Sequence, residues 1–432
     1  MEDLPKRLRE LFKDAEEIKL KDVFIDAEQI GFEIKMGGGG VPPQVPVTLQ
    51  IGTQTFSGML LQTMAGMPGA QALVPSILKT MVYQKAAFES PAEKYVGEVA
   101  TVEFSRSGRG GQVVKLGGEK APPFYNFEAS IPNPPVVTAD VFDIPIHTKK
   151  RETFLRLAKP VKMHYLDPDV SESPAEWAKL AVDKYGAQMV TMHNIATDPT
   201  IPEKLGGKKS SKWAAKNLED VMQAVKVPIV IGGSGNKVMD IEVFEKCAEV
   251  SEAERFMLSS AEEDTFKKII PIAKKYDHNV LAFTSLDLNA AKKLNQEIIE
   301  MGFSKDHIVI DPTTAPLGYG WQFSFSIYQR IRLAALKGEE NLQCPISGGT
   351  TNAWGAREAF LSQKKKPEWG PVEYRGPLWE IITAFGLCLA GLDIAMMLHP
   401  GAIKSFKDII QDLTSTSKAK KPILTDWIKM EV

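Results

Sequence analysis

A series of short apolar runs along residues 188–398 ends, each time, in small polar residues, and these are where the chain has the means to do chemistry. His193 and Asn194 close one run, and Gly232-Gly233-Ser234-Gly235-Asn236 close the next. Further along come Ser259-Ser260, Thr284-Ser285, and Asp311 with Thr313 and Thr314. Ser347-Gly348-Gly349-Thr350-Thr351-Asn352 and finally His399 complete the series. The two Gly-rich stretches expose backbone N–H groups and allow close approach, which suits a phosphate, a carboxylate, or the amide and acid arms of a large cofactor. Tight strand-to-helix turns need the same glycines. Gly206-Gly207-Lys208-Lys209-Ser210 resembles the tail of a P-loop, but Ile201 stands where its first glycine must be. Schiff-base chemistry would need a lysine in or after a barrel strand, and Ile308-Val309-Ile310-Asp311 offers none. Metal hydrolysis would need converging His and carboxylate ligands, and the run ends supply only Asp311 with His193 and His399 scattered around it. What remains is a set of hydrogen-bonding groups with one carboxylate, suited to gripping a cofactor face or a pterin.

The elements that must position these residues repeat. From Val136 onward, short Val/Ile/Met-rich runs alternate with amphipathic segments, the pattern of successive βα units. The runs are Val136–Ile144, Gln188–Ile195, Pro228–Ile231, Arg255–Leu258, Val280–Phe283, Ile308–Ile310, Cys344–Ile346 and Leu392–Leu398, eight in all. Eight strands close a parallel sheet with no edge left over. The runs are continuously apolar, as strands buried on both faces are. The expected fold is therefore an α/β, (β/α)8 TIM barrel over residues 136–432, with a doubly wound open sheet as the alternative. In the sites this architecture supports, the residues at the C-terminal strand ends carry function.

Residues 1–135 read differently, as an N-terminal extension of mixed, mainly extended structure packed on the barrel and on a partner. Gly37–Gly40, Pro42, Pro43 and Pro46 break it into pieces, and Leu60–Ser90 holds a helix or two. Val99–Phe104 and Gln112–Leu116 form a hairpin whose tip carries Arg106 and Arg109. The segment 145–172 is an excursion from the barrel.

Net charge is −2, from 52 basic and 54 acidic residues, so no global field favours nucleic acid or an anionic membrane. Cys247, Cys344 and Cys388 are far apart with no C-x-x-C pair, which argues against a disulfide framework or an iron–sulfur cluster in this chain. Met1–Leu11 is charged and amphipathic, without the apolar stretch of a secretory signal. Ile381–Leu392, bracketed by Glu380 and Asp393, falls short of the roughly 20 residues a spanning helix requires. The expected compartment is cytoplasmic.

Val136–Ile144 (VVTADVFDI), Ile308–Pro316 (IVIDPTTAP) with Leu317-Gly318-Tyr319-Gly320, Cys344–Thr351 (CPISGGTT) and Leu392–Pro400 together resemble the delta subunit of acetyl-CoA decarbonylase/synthase. That subunit corresponds to the small subunit of the corrinoid iron–sulfur protein, and the resemblance covers nearly the whole chain. It implies a heterodimer with a larger gamma subunit that carries the iron–sulfur cluster and a corrinoid domain. A cobamide would lie between that domain and the top of this barrel. Its cobalt would take a methyl group from a methylated tetrahydropterin, such as tetrahydrosarcinapterin, and pass it to the nickel site of acetyl-CoA synthesis or cleavage. The setting would be methanogenesis from acetate or autotrophic acetyl-CoA formation. The chain lacks the D-x-H-x-x-G stretch by which a histidine coordinates cobalt from below, so it is not expected to be the corrinoid carrier itself. The residues expected to face the cobamide are Asn194, Gly233, Gly235, Asn236, Asp311, Thr313, Gly348, Gly349 and Thr350; no catalytic residue and no metal ligand is expected.

Three other readings stay open. A pterin-dependent methyltransferase acting alone would use Asp311 and Asn194 to bond the pterin, although Ser259 and Ser260 stand where that family wants an amide. A phosphorylated-metabolite enzyme would use Ser347–Thr350 as a phosphate loop. A purely structural subunit would organise the complex and touch no cofactor.

Overall fold

The computed structural model describes residues 48–51, 54–57, 92–107, 110–126, 128–143 and 173–415. The Gly/Pro-broken stretch at 37–46, the helices expected within 60–90, Arg109 and the excursion at 145–172 lie outside them. The chain divides at Glu89/Ser90 into two units. In the first, β1 (Thr48–Ile51) pairs antiparallel with β2 (Gln54–Ser57).

In the second unit, a hairpin of β3 (Val102–Ser105) and β4 (Val113–Leu116) precedes eight parallel strands: β5 (Val136–Phe142), β6 (Met189–His193), β7 (Ile229–Gly232), β8 (Met257–Ala261), β9 (Asn279–Phe283), β10 (Ile308–Asp311), β11 (Ile346–Gly349) and β12 (Leu392–Met397). They close into a barrel with β12 hydrogen-bonded to β5, which excludes the open sheet. Each strand overlaps one of the eight expected runs. The difference lies in where the strands end: β8 continues through Ser259 and Ser260, and β11 includes Ser347, Gly348 and Gly349. Apolarity marks only the part of a strand packed under helices. Toward the mouth the inward face turns polar while the backbone ladder goes on.

Several helices start where a capping side chain satisfies their first N–H groups. Ser173 caps α1 (Pro174–Asp183), which has Pro in its first turn, and Ser210 caps α2 (Ser211–Ala224). Asn236 caps α3 (Lys237–Val250), and α4 (Phe266–Lys275) follows β8. Asp287 caps α5 (Leu288–Glu300), and α6 (Trp321–Leu336) follows β10. Between β11 and β12 lie the short α7 (Arg357–Phe360) and the long α8 (Val372–Ala390), and α9 (Pro400–Thr414) follows β12. Among the described residues no helix is long and apolar enough to cross a membrane.

Strand alternation separates two cores. One face, including Val137, Val190, Ile231, Leu258, Val280, Ile310 and Ala395, packs against the helices. The other, Val136, Met189, Val230, Met257, Leu281, Val309 and Ile394, forms a cluster inside the barrel together with Val102, Phe104 and Leu116 of the hairpin. The β3–β4 hairpin therefore closes the N-terminal end of the barrel. Ser105 and Arg255 exchange backbone hydrogen bonds there, Asn279 Nδ2 donates to Glu103 O at 2.8 Å, and Arg106 pairs with Glu254.

A polar barrel mouth as the candidate site

Two-residue periodicity carries the inward face from apolar to polar as each strand climbs. On β5 it passes from Val136 through Thr138 to Asp140, on β6 from Met189 through Thr191 to His193, and on β10 from Val309 to Asp311. Thr138 and Thr191 share a 2.8 Å hydrogen bond midway up. At the mouth, His193 Nε2 stands 3.1 Å from Asp140 Oδ1 without the alignment of a hydrogen bond, and Phe142 stacks on the imidazole at 4.7 Å. Thr351 donates to the other Asp140 oxygen. Just past β5, burial pushes the Asp143 carboxyl up to about 7, against the Ala196 and Ile195 N–H groups that favour its charge.

A second cluster supports the same sector. Glu380 of α8 accepts from Leu398 N and His399 N and is pushed up to about 7 by burial. His399 Nδ1 accepts from Gly401 N and Ala402 N, so the neutral ring carries its proton on Nε2, and burial pushes its pKa down to about 3. That Nε2 has no hydrogen-bond partner. The same is true of Asn194 Oδ1, Asp140 Oδ1, His193 Nε2, Thr284 Oγ1 and Ser347 Oγ. Buried polar atoms are nearly always paired; Asp140 Oδ1 and His193 Nε2 at least face each other, whereas His399 Nε2, Asn194 Oδ1, Thr284 Oγ1 and Ser347 Oγ keep spare hydrogen-bonding capacity at the strand ends.

The nine residues singled out in the sequence divide into two groups. Asn194 is fully buried; its Nδ2 donates to Gly232 O at 2.8 Å, which leaves Oδ1 spare. Asp311 accepts from Thr313 N at 2.9 Å, and burial pushes its carboxyl up to about 7. At Gly349 a Cβ would meet only Asn352 Nδ2, in ordinary contact at 3.6 Å. The others are bound into the scaffold. Ser234 N and Gly235 N both donate to the Asp240 carboxylate, and a Cβ at Gly233 would stand 2.5 Å from that carboxylate. The Asn236 side-chain oxygen accepts from Met239 N. Thr313 holds a left-handed φ of 76° and bonds Thr284 O. Thr350 bonds Met396 O, and Gly348 lies under Tyr328, whose hydroxyl a Cβ would meet at 2.6 Å. Gly348 and Gly349 are in register with Ala395 and Met396, so their backbone belongs to the sheet and not to a phosphate loop. Asp140, Asp143 and Glu380 are the mouth residues that run-end reasoning passes over, while Thr351 is among those it finds.

Beside the mouth, a cavity of about 460 Å³ opens between the ends of β8 and β9, lined by Phe283, Thr284, Leu294 and charged side chains. Its lysines are committed: Lys237 reaches Glu262 and Asp264 at 2.8 Å each, and Lys293 reaches Glu263 at 2.9 Å. Cys247, Cys344 and Cys388 are buried in the core between strands and helices. Among the described residues no group of three His, Cys, Asp or Glu side chains could hold a metal ion.

Asp311 gives a stability test. Its folded pKa of about 7 lies above the carboxyl's unfolded value of roughly 4, so the unfolded chain ionises first. This group's contribution is full below pH 4 and is lost as pH rises toward 7. Asp311→Asn keeps the acceptor for Thr313 N and removes the ionisation. In urea unfolding, the variant should gain on the wild type by up to a few kcal/mol on going from pH 5 to pH 8. A constant difference between the two pH values would contradict a carboxyl buried in this way.

Fold and site together define a closed (β/α)8 barrel with a polar mouth and a hairpin-sealed base. The chain belongs to the CO dehydrogenase/acetyl-CoA synthase delta subunit family, whose pattern it matches over residues 102–365. It is 48% identical over 332 residues to the acetyl-CoA decarbonylase/synthase complex subunit delta of Methanocaldococcus jannaschii, covering 76% of this chain and 77% of that one. It is 43% identical over 423 residues to the complex's subunit delta 2 of Methanosarcina acetivorans, covering 93% of each. Among solved structures it is similar to the dihydropteroate synthase of Xanthomonas albilineans, at 10% identity and TM-score 0.45, over 74% of this chain and 100% of that one.

Proposed function

We propose that this chain is the small, non-redox subunit of a corrinoid/iron–sulfur methyl carrier within an acetyl-CoA decarbonylase/synthase complex. Its barrel mouth holds and shields a cobamide shared with a larger gamma subunit, in the cytoplasm, and residues 1–135 contribute to the partner surface. The observation that carries this reading is the set of buried, unpartnered polar atoms at the mouth, Asn194 Oδ1 and Thr284 Oγ1 above all. A corrinoid is rimmed by amide arms, and such arms supply both the N–H groups Asn194 needs and the carbonyl oxygens Thr284 needs. When bound, the cobamide supplies a cobalt that accepts and releases a methyl group between a methylated tetrahydropterin and the nickel site. This chain's residues bind and orient, and they exclude water from one face of the ring, which a strongly nucleophilic metal requires more than it requires proton transfer. The relatives' shared designation as complex subunits supports assembly with a partner.

The test is a cobalt assay and visible spectrum on the chain purified alone and after co-expression with an iron–sulfur/corrinoid partner. Cobalt and corrinoid absorption are expected only in a stable one-to-one complex. Asn194→Ala should weaken corrinoid retention in that complex by about tenfold, the value of one buried hydrogen bond to an otherwise orphaned group. Unchanged retention, or no association at all, would remove this reading. A pterin-dependent methyltransferase acting alone is the second reading, supported by the buried Asp311 carboxyl with its single backbone N–H bond. It requires methyl-pterin turnover by the isolated chain and loss of that turnover in Asp311→Ala.

A further inference from the structure

Arg375 lies at the start of α8, in the excursion that follows β11 on the mouth side of the barrel. It is 3% exposed. Its Nη1 donates to Glu358 O at 3.3 Å, while Nε and Nη2 have no hydrogen-bond partner. Those two nitrogens form one edge of the guanidinium, the pair of parallel N–H donors that matches the two oxygens of a carboxylate or phosphate. The Trp369 ring lies 5.8 Å from the guanidinium carbon, with Arg375 over its face. This contact engages the positive charge with the ring and uses neither Nε nor Nη2 as a hydrogen-bond donor. A buried guanidinium edge without a partner is among the costlier arrangements a fold can keep, and that cost is relieved by an anion seated on it.

The neighbouring charges do not fill the edge. Glu373, Glu358 and Glu368 act on Arg375 only at longer range, and among the described residues no carboxylate forms an ion pair with it. Glu368 is engaged with Lys366 at 3.4 Å, and Lys366 in turn lies 5.3 Å from the Trp369 ring centroid. Lys364 and Lys365 are exposed. The spare capacity therefore belongs to one side chain with a defined fork.

We infer that the Nε/Nη2 edge of Arg375, in the first turn of α8, is an oxyanion-binding site for the phosphate or carboxylate group of a small ligand. The site discriminates by geometry: a planar or tetrahedral oxyanion presents two oxygens to the fork, whereas chloride presents one point of charge. The three nearby carboxylates tune its affinity downward, so it favours ligands whose oxyanion is held by additional contacts.

The experiment follows the ³¹P line of inorganic phosphate, and in a parallel arm the ¹³C carboxyl line of acetate, as the full chain is added at fixed ionic strength in chloride. Saturable broadening in either arm is expected, and which arm responds tells phosphoryl from carboxyl ligands. Arg375→Lys keeps the charge and loses the fork, and should weaken binding at least about tenfold. Glu368→Gln lies at the surface, leaves the guanidinium intact, and should tighten binding about twofold by removing a repelling charge. Lys364→Gln with Lys365→Gln should change it less than twofold. The inference is overturned if neither line broadens, if Arg375→Lys binds like the wild type, or if the double lysine variant abolishes binding. If Arg375→Lys does not fold, the Glu368→Gln result decides: unchanged affinity overturns the site.

Discussion

Replacing Arg332 with Met should cost the fold roughly 3–5 kcal/mol, and more at pH 8 than at pH 5. Arg332 of α6 is buried, with Nη1 2.9 Å from Glu119 and Nη2 2.6 Å from Asp393 of β12. Nη2 also donates to Gly391 O, and Asp393 accepts from Ile346 N of β11. One guanidinium thus ties the segment after β4 to a helix and two adjacent strands. Burial opposes its charge, but Asp393 and Glu119 outweigh burial and hold it cationic. Burial also pushes the Asp393 carboxyl well above the usual range, Arg332 pulls it back, and Glu119 raises it again. Methionine fills the volume but removes the one charge that lowers Asp393. The folded pKa of Asp393 then lies still further above its unfolded value, so ionisation favours the unfolded chain and stability falls as pH rises from about 4. Urea unfolding at the two pH values checks both statements. A loss below about 1 kcal/mol, or an equal loss at both, would mean that the triad is held by packing and not by charge.

The barrel is legible in the sequence because its strands are buried on both sides. Ile308-Val309-Ile310 and Leu392–Met397 read as apolar runs regardless of register, and Pro174 with Gly186 or Ser210 before α2 punctuate the helices through fixed backbone chemistry. The Arg332 triad is not legible. Its partners stand 213 and 61 residues from Arg332, and nothing local distinguishes them from solvated charges until the closed sheet brings them together.

The mouth is legible in part for the same reason. Residues that follow a run are easy to find, and Asn194 and Asp311 are among them. Asp140 lies inside the run VVTADVF, where only the two-residue period from Val136 through Thr138 shows that it faces inward. Gly233, Gly235 and Asn236 look like an anion cradle in sequence, yet Asp240, one turn into α3, takes the Ser234 and Gly235 N–H groups, and Asn236 takes Met239 N. A Gly-rich stretch before a helix is equally good at capping and at binding; the deciding residue is the acid within the helix. Glu380 reaches the mouth from α8, and Arg375 shows its free edge only once Glu358 has claimed Nη1.

Phe104→Ala should destabilise the barrel by about 3–5 kcal/mol while leaving the mouth intact in the folded protein. In β3 the order Val-Glu-Phe-Ser alternates buried and half-buried positions, which sends Val102 and Phe104 into the barrel and leaves Glu103 and Ser105 at its rim. Phe104, fully buried, meets the lowest inward layer formed by Val136, Met189, Val230, Met257, Leu281, Val309 and Ile394. A parallel barrel has no side chain of its own to close that end, so the ring completes the interior, and removing it leaves a cavity with few atoms free to collapse into it. Phe104→Leu, which keeps most of the volume, should cost less than half as much. Val113→Ala on β4, at a position 55% exposed, should change stability by no more than about 0.5 kcal/mol. Urea unfolding of the three variants separates a plug from a decoration: if Phe104→Ala and Val113→Ala cost the same, the hairpin only covers the barrel base. A cost confined to Phe104, with the Asn194-dependent ligand behaviour at the other end unchanged, shows that base and mouth are independent, the base setting stability and the mouth free to keep its polar atoms unpaired for a ligand.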